Sequence, residues 1–348
     1  MPVCAHAFSR RSKHLGSTFA ALIFLQAADV RAVDEAGLRA AAEYSVGQRG
    51  TVLLVVRSGK KIFAETANGG SASTSYKIYS GTKMFWILAG LVAVEDGLLR
   101  LDEHVATTIE EWASDPQRSR VTIRQLLNFT SGLEPNFTLH GDDVRDRNTL
   151  AVRTRLGAAP GDEFMYGPAA LQVFHEILKR KLAAHDETPT RFLERRVLRP
   201  LGFGPQRYRQ DSVGNPLLAS GFKMTANQWL KMGKCILDHG APVVARATFA
   251  EAVRGTNANP AFGFALWNNH LAPGGRELDP EEMLDLKWQR QDWKSACLCR
   301  DAPSDLLACI GSGGQRLYVV PSQELIVVRQ GGFGRFRDAE FLRRLFAR

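Results

Sequence analysis

The pairing of a serine with a lysine three residues later is the first chemical pattern in the sequence. Ser-x-x-Lys occurs three times, beginning at Ser58, Ser80 and Ser220. Residues three apart share one face of a helix, so on a helix the lysine amine can reach the serine hydroxyl. A serine in the first helical turn also has an unpaired amide that can stabilise negative charge. Such a pair supplies a nucleophile, a proton acceptor and one oxyanion donor.

The surrounding sequence distinguishes the three copies. Ser58 lies in a predicted hairpin turn, where its lysine would project into solvent, and Ser220 is predicted to cap a following helix. Only Ser80 opens a strongly apolar helix, predicted over residues 80–96. Burial of that helix would lower the pKa of the Lys83 amine and prepare it for proton transfer. Ser80 and Lys83 are therefore the predicted catalytic pair.

The segment Tyr79-Ser80-Gly81-Thr82-Lys83 resembles the first motif of serine β-lactamases, penicillin-binding proteins and their esterase relatives. Further matches follow in the order expected of this family, namely Gly97–Asp102, Thr122–Leu127, Thr130–Leu133, Pro160–Tyr166, Pro200–Phe203, Met224–Ala226 and Gly263–Leu266. The stretch from Thr122 to Leu133 is typical of the class C-like branch. The resemblance covers roughly residues 34–345. It implies that Tyr166, held near Lys83, is the base that takes the proton from Ser80. A free phenol has a pKa of about 10, so we expect the Lys83 ammonium to lower the pKa of Tyr166.

Two segments depart from the family pattern. Where the family usually carries Tyr-x-Asn, this chain has Tyr166-Gly167-Pro168, which removes one amide donor to the substrate. Where the family usually carries Lys-Thr-Gly or His-x-Gly, residues 310–315 read Ile-Gly-Ser-Gly-Gly-Gln, so a substrate carboxylate would lack its usual cation. The glycines still allow close approach, and the amide of Gly314 or Gln315 could complete the oxyanion hole. The predicted oxyanion and substrate-binding residues are Ser80, Ser312, Gly313, Gly314 and Gln315.

Strand signals are concentrated at the two ends of the chain, and helix signals lie between them. Strands are predicted over residues 51–56, 61–65, 262–267, 307–310, 315–320 and 324–329, and helices over 34–46, 80–96, 169–182, 225–237 and 339–346. This pattern predicts an α/β (α+β) fold with an antiparallel sheet built from both chain ends and flanked by helices. The predicted sheet domain comprises residues 33–100 and 251–348, with an inserted, mostly helical domain over 101–250. The resemblance implies the same architecture.

Residues 1–32 have the pattern of a signal peptide. A basic start at Arg10 and Arg11 precedes a mainly apolar run over residues 15–28, which is too short for a comfortable membrane span, and Ala32 offers a small residue for cleavage. We therefore expect an exported, periplasmic or secreted protein, with membrane anchoring as the alternative if the leader is retained. Cleavage would lower the net charge from +9 to +6.

No cofactor, metal site or nucleic-acid partner is predicted. The positive charges are scattered, the Cys297-Leu298-Cys299 pair lacks a second pair at zinc-site spacing, and the histidines show no close pairing. Disulfides, within residues 297–309 above all, and free buried thiols are open alternatives for the cysteines outside the leader, which are Cys235, Cys297, Cys299 and Cys309.

Together these residues predict a serine hydrolase that forms an acyl-enzyme on Ser80, with Lys83 and Tyr166 as partners. The departures at Pro168 and Ser312 favour an esterase or amidase acting on small acyl compounds. A β-lactamase or DD-peptidase is the first alternative, and a non-catalytic binding protein on the same fold is the second. The expected partner is a small-molecule ester, amide or β-lactam, with no integral membrane span once the leader is removed.

Overall fold

The structure, a computed structural model, describes residues 33–347 apart from 284, 286, 288 and 289; the predicted signal peptide lies outside the described residues. The α-helices are α1 (Glu35–Gly47), α2 (Lys83–Glu95), α3 (Ile123–Leu127), α4 (Arg147–Val152), α5 (Pro168–Ala183), α6 (Pro189–Leu193), α7 (Ala226–Leu237), α8 (Arg246–Val253) and α9 (Asp338–Leu345). The strands are β1 (Gly50–Arg57), β2 (Lys60–Thr66), β3 (Tyr76–Lys77), β4 (Lys223–Met224), β5 (Trp267–Asn268), β6 (Arg276–Glu277), β7 (Ala296–Cys297), β8 (Leu307–Gly311), β9 (Gln315–Val320) and β10 (Leu325–Gly331).

The main sheet is antiparallel throughout and is assembled from both ends of the chain. Its strand order is β2-β1-β10-β9-β8-β5, so the N-terminal hairpin lies beside the last strand. In register, Leu54 of β1 faces Ala64 of β2 on one side and Val328 of β10 on the other. This arrangement confirms the predicted α/β fold. Two small strand pairs, β3–β4 and β6–β7, form separate sheets.

Helices cover both faces of the main sheet. α7 packs closely on one face, where an added Cβ on Gly233 would lie 2.8 Å from the Leu317 side chain. Successive residues of a strand point to opposite faces, so Arg316 reaches the other face and binds Asp338 at the start of α9. α7 thus packs on the sheet although its residues fall within the segment 101–250, and the predicted domain boundaries stay a prediction.

α2 runs through the interior of the protein. Its residues from Lys83 to Ala93 are all buried, which is the environment of a helix that is apolar on every side. The helix predicted from Ser80 is therefore present, but its first turn is a tighter 3-10 helix over Tyr79–Thr82, and the α-helix begins at Lys83.

Two local predictions were wrong. The strand predicted over residues 262–267 is a tight turn in which Phe262 and Trp267 form an isolated bridge. The Gly263 amide donates to the Leu266 carbonyl, and the Phe264 amide donates to the Ala252 carbonyl of α8. The predicted cap of α7 is also displaced. Thr225, not Ser220, caps this helix through a reciprocal capping box with Gln228.

The four cysteines outside the leader are buried and free in the part of the chain that the structure describes, so the free-thiol alternative holds there. Within the same residues, none of the helices has both the length and the apolar character needed to cross a membrane.

Candidate active site

Ser80 lies in the 3-10 turn that leads directly into α2. The turn is closed by a hydrogen bond of 2.9 Å from the Gly81 amide to the Ile78 carbonyl. Tyr79 has a left-handed φ of 44°, a conformation that is uncommon for non-glycine residues and concentrated at functional sites. The turn holds Ser80 half-buried at the wall of a cleft.

Lys83, at the start of α2, is buried directly behind the nucleophile. Its Nζ lies 2.8 Å from Ser80 Oγ and 2.9 Å from the Ala219 carbonyl oxygen. Both partners are neutral, and burial lowers the pKa of Lys83 to about 7. Burial therefore makes the uncharged amine accessible near neutral pH. A neutral amine can donate to Ala219 while its lone pair accepts the Ser80 proton.

Tyr166 lies across the same serine. It precedes α5, stacks on Phe129 at a centroid distance of 5.4 Å, and has Lys83 Nζ 4.9 Å from its ring centroid. Burial raises the pKa of Tyr166 to about 12, although its hydrogen bond with Ser80 acts in the opposite direction. The expectation that Lys83 lowers the pKa of Tyr166 was therefore wrong. The structure buries both groups, and burial favours the neutral amine and the neutral phenol.

The proline that replaces the family's asparagine has a structural role. Pro168 occupies the first position of α5, where its fixed φ suits a helix and its missing amide hydrogen costs nothing. Gly167 precedes it in extended conformation against Pro135, leaving no room for a Cβ. Position 168 therefore starts a helix and offers no side-chain amide to the cleft.

The third-motif segment forms the turn between β8 and β9, beside the nucleophile. An added Cβ on Gly311 would lie 2.1 Å from the Ile78 carbonyl oxygen, so only glycine allows this close approach. Gly313 and Gly314 both have left-handed φ values, of 71° and 68°. Ser312 lines the same cleft as Ser80.

The amides of this turn are held by a carboxylate that the sequence analysis missed. Gly313 N and Gly314 N donate to Glu281 at 3.0 and 2.9 Å. The prediction that Gly314 completes the oxyanion hole is therefore wrong, because its amide is already bound. Gln315 is buried in the β8–β9 ladder, and Ser312 is the third-motif residue that remains beside Ser80.

Two buried arginines complete the support of this turn. Arg316 binds Glu281, Asp338 and the Gly311 carbonyl, and Arg329 donates to the Gly314 carbonyl at 2.6 Å. Arginine within an otherwise apolar buried strand is rare unless it is paired. The arginine in this strand was therefore a sequence signal for a buried acidic partner. The sequence did not identify that partner, because Glu281 lies 35 positions away from Arg316.

The cleft at Ser80 has a volume of about 1080 Å³. It combines the half-exposed serine with aromatic walls and several cationic side chains. Its lining residues are Ser75, Lys77, Tyr79, Ser80, Phe137, His140, Asp142, Pro205, Gln206, Arg207, Tyr208, Arg209, Ser220, Gly221, Lys223, Gln228, Ser312 and Phe333.

One cluster elsewhere contains atoms of the kind that bind metals. The ligand atoms of Glu277, Cys299 and Asp301 lie within 4.8 Å of one another. Arg343 already binds both carboxylates, at 2.8 Å to Glu277 and 2.9 Å to Asp301. The guanidinium supplies the positive charge here, so the cluster is an ion-pair network.

The main antiparallel sheet is completed by both chain ends, and the buried lysine at the start of α2 hydrogen-bonds to the serine in the preceding 3-10 turn. The sequence profile of the Beta-lactamase family matches residues 38–330. The chain therefore belongs to the beta-lactamase family.

The chain is similar in sequence to a staphylococcal protein and in fold to two solved structures. Protein flp of Staphylococcus aureus (strain MRSA252) is 26% identical over 192 residues, a match that spans 50% of this chain and only 38% of that protein. The class C beta lactamase from Rhodobacter sphaeroides has a TM-score of 0.64 at 17% identity, covering 90% of this chain and 98% of its own. EstCE1, a hydrolase with promiscuous acyltransferase activity, has a TM-score of 0.64 at 20% identity, and the match covers 90% of this chain and 99% of EstCE1. These two structures establish the common fold.

Proposed function

We propose that this protein is a serine esterase or amidase for small acyl compounds, with Ser80 as nucleophile. The observation that carries the proposal is the 2.8 Å hydrogen bond between Ser80 Oγ and the buried Lys83 Nζ. Because burial brings the pKa of Lys83 to about 7, the amine can accept the serine proton under neutral conditions.

In the proposed reaction, Ser80 Oγ attacks the substrate carbonyl while Lys83 Nζ takes its proton. The oxyanion is stabilised by the backbone amides of Ser80 and Ser312. Lys83 then returns the proton through the neutral Tyr166 hydroxyl to the leaving alcohol or amine, as the bond to the acyl carbon breaks. Water then attacks the acyl carbon and gives a proton to Lys83 Nζ. The bond to Ser80 Oγ breaks, Lys83 returns the proton to this oxygen, and the acid is released.

Two features favour esters and simple amides over β-lactams within this family. Position 168 is a proline at a helix start, so it cannot bind a substrate carbonyl through a side-chain amide. The end of β8 carries no cation, because Gly311 and Ser312 stand where the family's lysine-containing motif lies.

Hydrolysis of p-nitrophenyl butyrate by the wild-type protein and by Ser80→Ala tests the proposal. We expect turnover by the wild type and loss of at least about 1000-fold in the variant. Ser58→Ala is the matched control, because it removes a serine from the same Ser-x-x-Lys pattern in the β1–β2 turn and should keep full activity.

Intact-mass spectrometry after mixing with substrate should detect an acyl adduct that Ser80→Ala does not form. Equal turnover in wild type and Ser80→Ala would refute the assignment of the nucleophile. A stable adduct with a fluorescent penicillin, combined with no ester turnover, would establish the penicillin-binding alternative instead.

A further inference from the structure

We propose that the Ser80 cleft selects acyl substrates carrying an anionic group, which is bound by the opposed lysines Lys77 and Lys223. This inference rests on the proposed function, because it names the substrate class of the same site. The lysines that would bind the anion lie on β3 and β4, whereas the third motif lies between β8 and β9.

The two lysines are brought together by the smallest antiparallel pair in the fold. Tyr76 pairs with Met224 and Lys77 pairs with Lys223 in the β3–β4 ladder. Residues that are directly opposite on such a pair project to the same face. Met224 is buried, whereas both lysines are exposed and line the cleft that contains Ser80.

This arrangement has an electrostatic cost that the protein leaves uncompensated. Like charges directly opposite on neighbouring strands destabilise the pair. Among the residues that the structure describes, neither lysine side chain forms a hydrogen bond or an ion pair, and neither does the side chain of the cleft residue Arg207. A bound anion would relieve the repulsion between the lysines.

The remaining charges of the cleft do not neutralise this cluster. Asp142 is the acidic residue among the described cleft-lining side chains, and its Oδ1 is bound 2.5 Å from Arg209 Nη2. The cleft therefore presents three unpaired cations to an incoming substrate. A concave surface of one charge sign concentrates ligands of the opposite charge.

The distance from the lysines to the nucleophile sets the length of the substrate. Lys77 precedes Ser80 by three positions, so their Cα atoms are at most about 10 Å apart. An acyl chain of a few carbons can therefore place its carbonyl at Ser80 and a terminal carboxylate at the lysines. Tyr79 and Phe333 pack edge to face with a centroid distance of 5.6 Å, and both line the cleft. These rings offer an apolar wall for the hydrocarbon part of the substrate's acyl chain.

The test compares two esters that differ only in the end of a six-carbon acyl chain: p-nitrophenyl hexanoate and mono-p-nitrophenyl adipate. We expect the wild type to favour the adipate ester by at least about tenfold in kcat/KM at low ionic strength. The ratio should fall as salt rises from about 20 mM to about 0.5 M, because salt screens exposed charges. It should fall to about one in the double variant Lys77→Met/Lys223→Met.

Lys60→Met/Lys61→Met is the matched control, because it removes two exposed lysines from β2 and should leave the ratio unchanged. Lys77→Arg/Lys223→Arg should retain the preference for adipate.

A wild-type ratio near one, or a ratio unaffected by salt and by the methionine substitutions, overturns this inference while the esterase proposal stands. If the methionine variant does not fold, the salt dependence of the wild-type kcat/KM ratio still tests whether the cleft binds the anionic group. Absence of turnover and of a Ser80 adduct with both esters overturns the proposed function itself.

Discussion

At the residue scale, the charge states of Lys83 and Tyr166 are set by burial. Each side chain is removed from water, and the hydrogen-bond partners of Lys83 are the Ser80 hydroxyl and the Ala219 carbonyl. No carboxylate therefore stabilises the Lys83 ammonium through these contacts. Burial therefore favours an uncharged amine and an uncharged phenol beside the serine, an arrangement that suits proton transfer.

The pH dependence of ester hydrolysis should report the Lys83 amine. Because Lys83 must be unprotonated to accept the Ser80 proton, kcat/KM should fall as the pH drops below about 7. No rise in kcat/KM from tyrosinate formation is expected below pH 10, because burial raises the pKa of Tyr166 to about 12. Initial rates between pH 5 and 10 measure this profile. A rise in kcat/KM above pH 8 that disappears in Tyr166→Phe would instead identify tyrosinate as the base.

The buried lysine should also make stability depend on pH. Its pKa is about 7 in the folded protein and 10.5 in the reference state, so between these values the unfolded chain binds more protons. The free energy of unfolding of the wild type should therefore rise with pH in this window, by about 2 kcal/mol from this group between pH 7 and 9.

Lys83→Met removes this dependence, and its stability advantage over the wild type should shrink by the same amount between the two pH values. Urea denaturation at both pH values measures the difference. A parallel change in the wild type and the variant would mean that Lys83 is charged in the folded protein.

At the element scale, the β8–β9 turn owes its shape to a distant loop. Glu281 lies in the short 3-10 helix Pro280–Glu282 and binds the two glycine amides and Arg316. Successive amides in such a turn form a concave site for anions, which here is filled by the protein's own carboxylate. Glu281 is thus a positioning residue that fixes the turn carrying Ser312.

Glu281→Gln should lower kcat for ester hydrolysis at least about tenfold with little change in KM, because a displaced Ser312 amide stabilises the transition state less well. The adjacent exposed Glu282→Gln is the control and should behave as wild type. Steady-state kinetics of p-nitrophenyl butyrate separate the two parameters. Equal kcat values in the two variants would show that the turn keeps its shape without the carboxylate.

Local sequence patterns were sufficient to predict most helices and strands, but they did not predict the contacts between these elements. Apolar periodicity placed α5, α7 and the strands β8 to β10 within a few residues of their observed ends. The turn at residues 262–267 was missed because its apolar residues pack as an aromatic cluster with Phe164, which a linear pattern cannot reveal. The opposition of Lys77 and Lys223 was likewise hidden, since it depends on two-residue strands far apart in the sequence.

At the scale of the whole molecule, an ion pair joins the last helix to the sheet. Asp338 of α9 is fully buried and binds Arg316 Nε at 2.6 Å and the Tyr318 hydroxyl at 2.5 Å. On the same face, Arg329 of β10 bonds to Ser45 of α1. The helix α9 is therefore tied to β9, which follows the third-motif turn, and α1 is tied to the neighbouring strand β10.

Asp338→Asn should lower the free energy of unfolding by about 3 kcal/mol, because it leaves the buried Arg316 charge poorly compensated. Asp102→Asn breaks the exposed pair with Arg124 and should cost at most about 1 kcal/mol. Chemical denaturation of the two variants provides the comparison. A similar loss in both would mean that Glu281 alone compensates Arg316.

The closure of the sheet by both chain ends also determines when the protein can fold. Ser45 and Arg329, which bond to each other, are 284 positions apart, and β1 finds its neighbour β10 only in the final segment. Pairing over such a separation requires closure of a long loop before any contact compensates for its entropy. The main sheet therefore cannot be completed before β10 has been synthesised. The native state of this protein forms late, after its C-terminal strands become available.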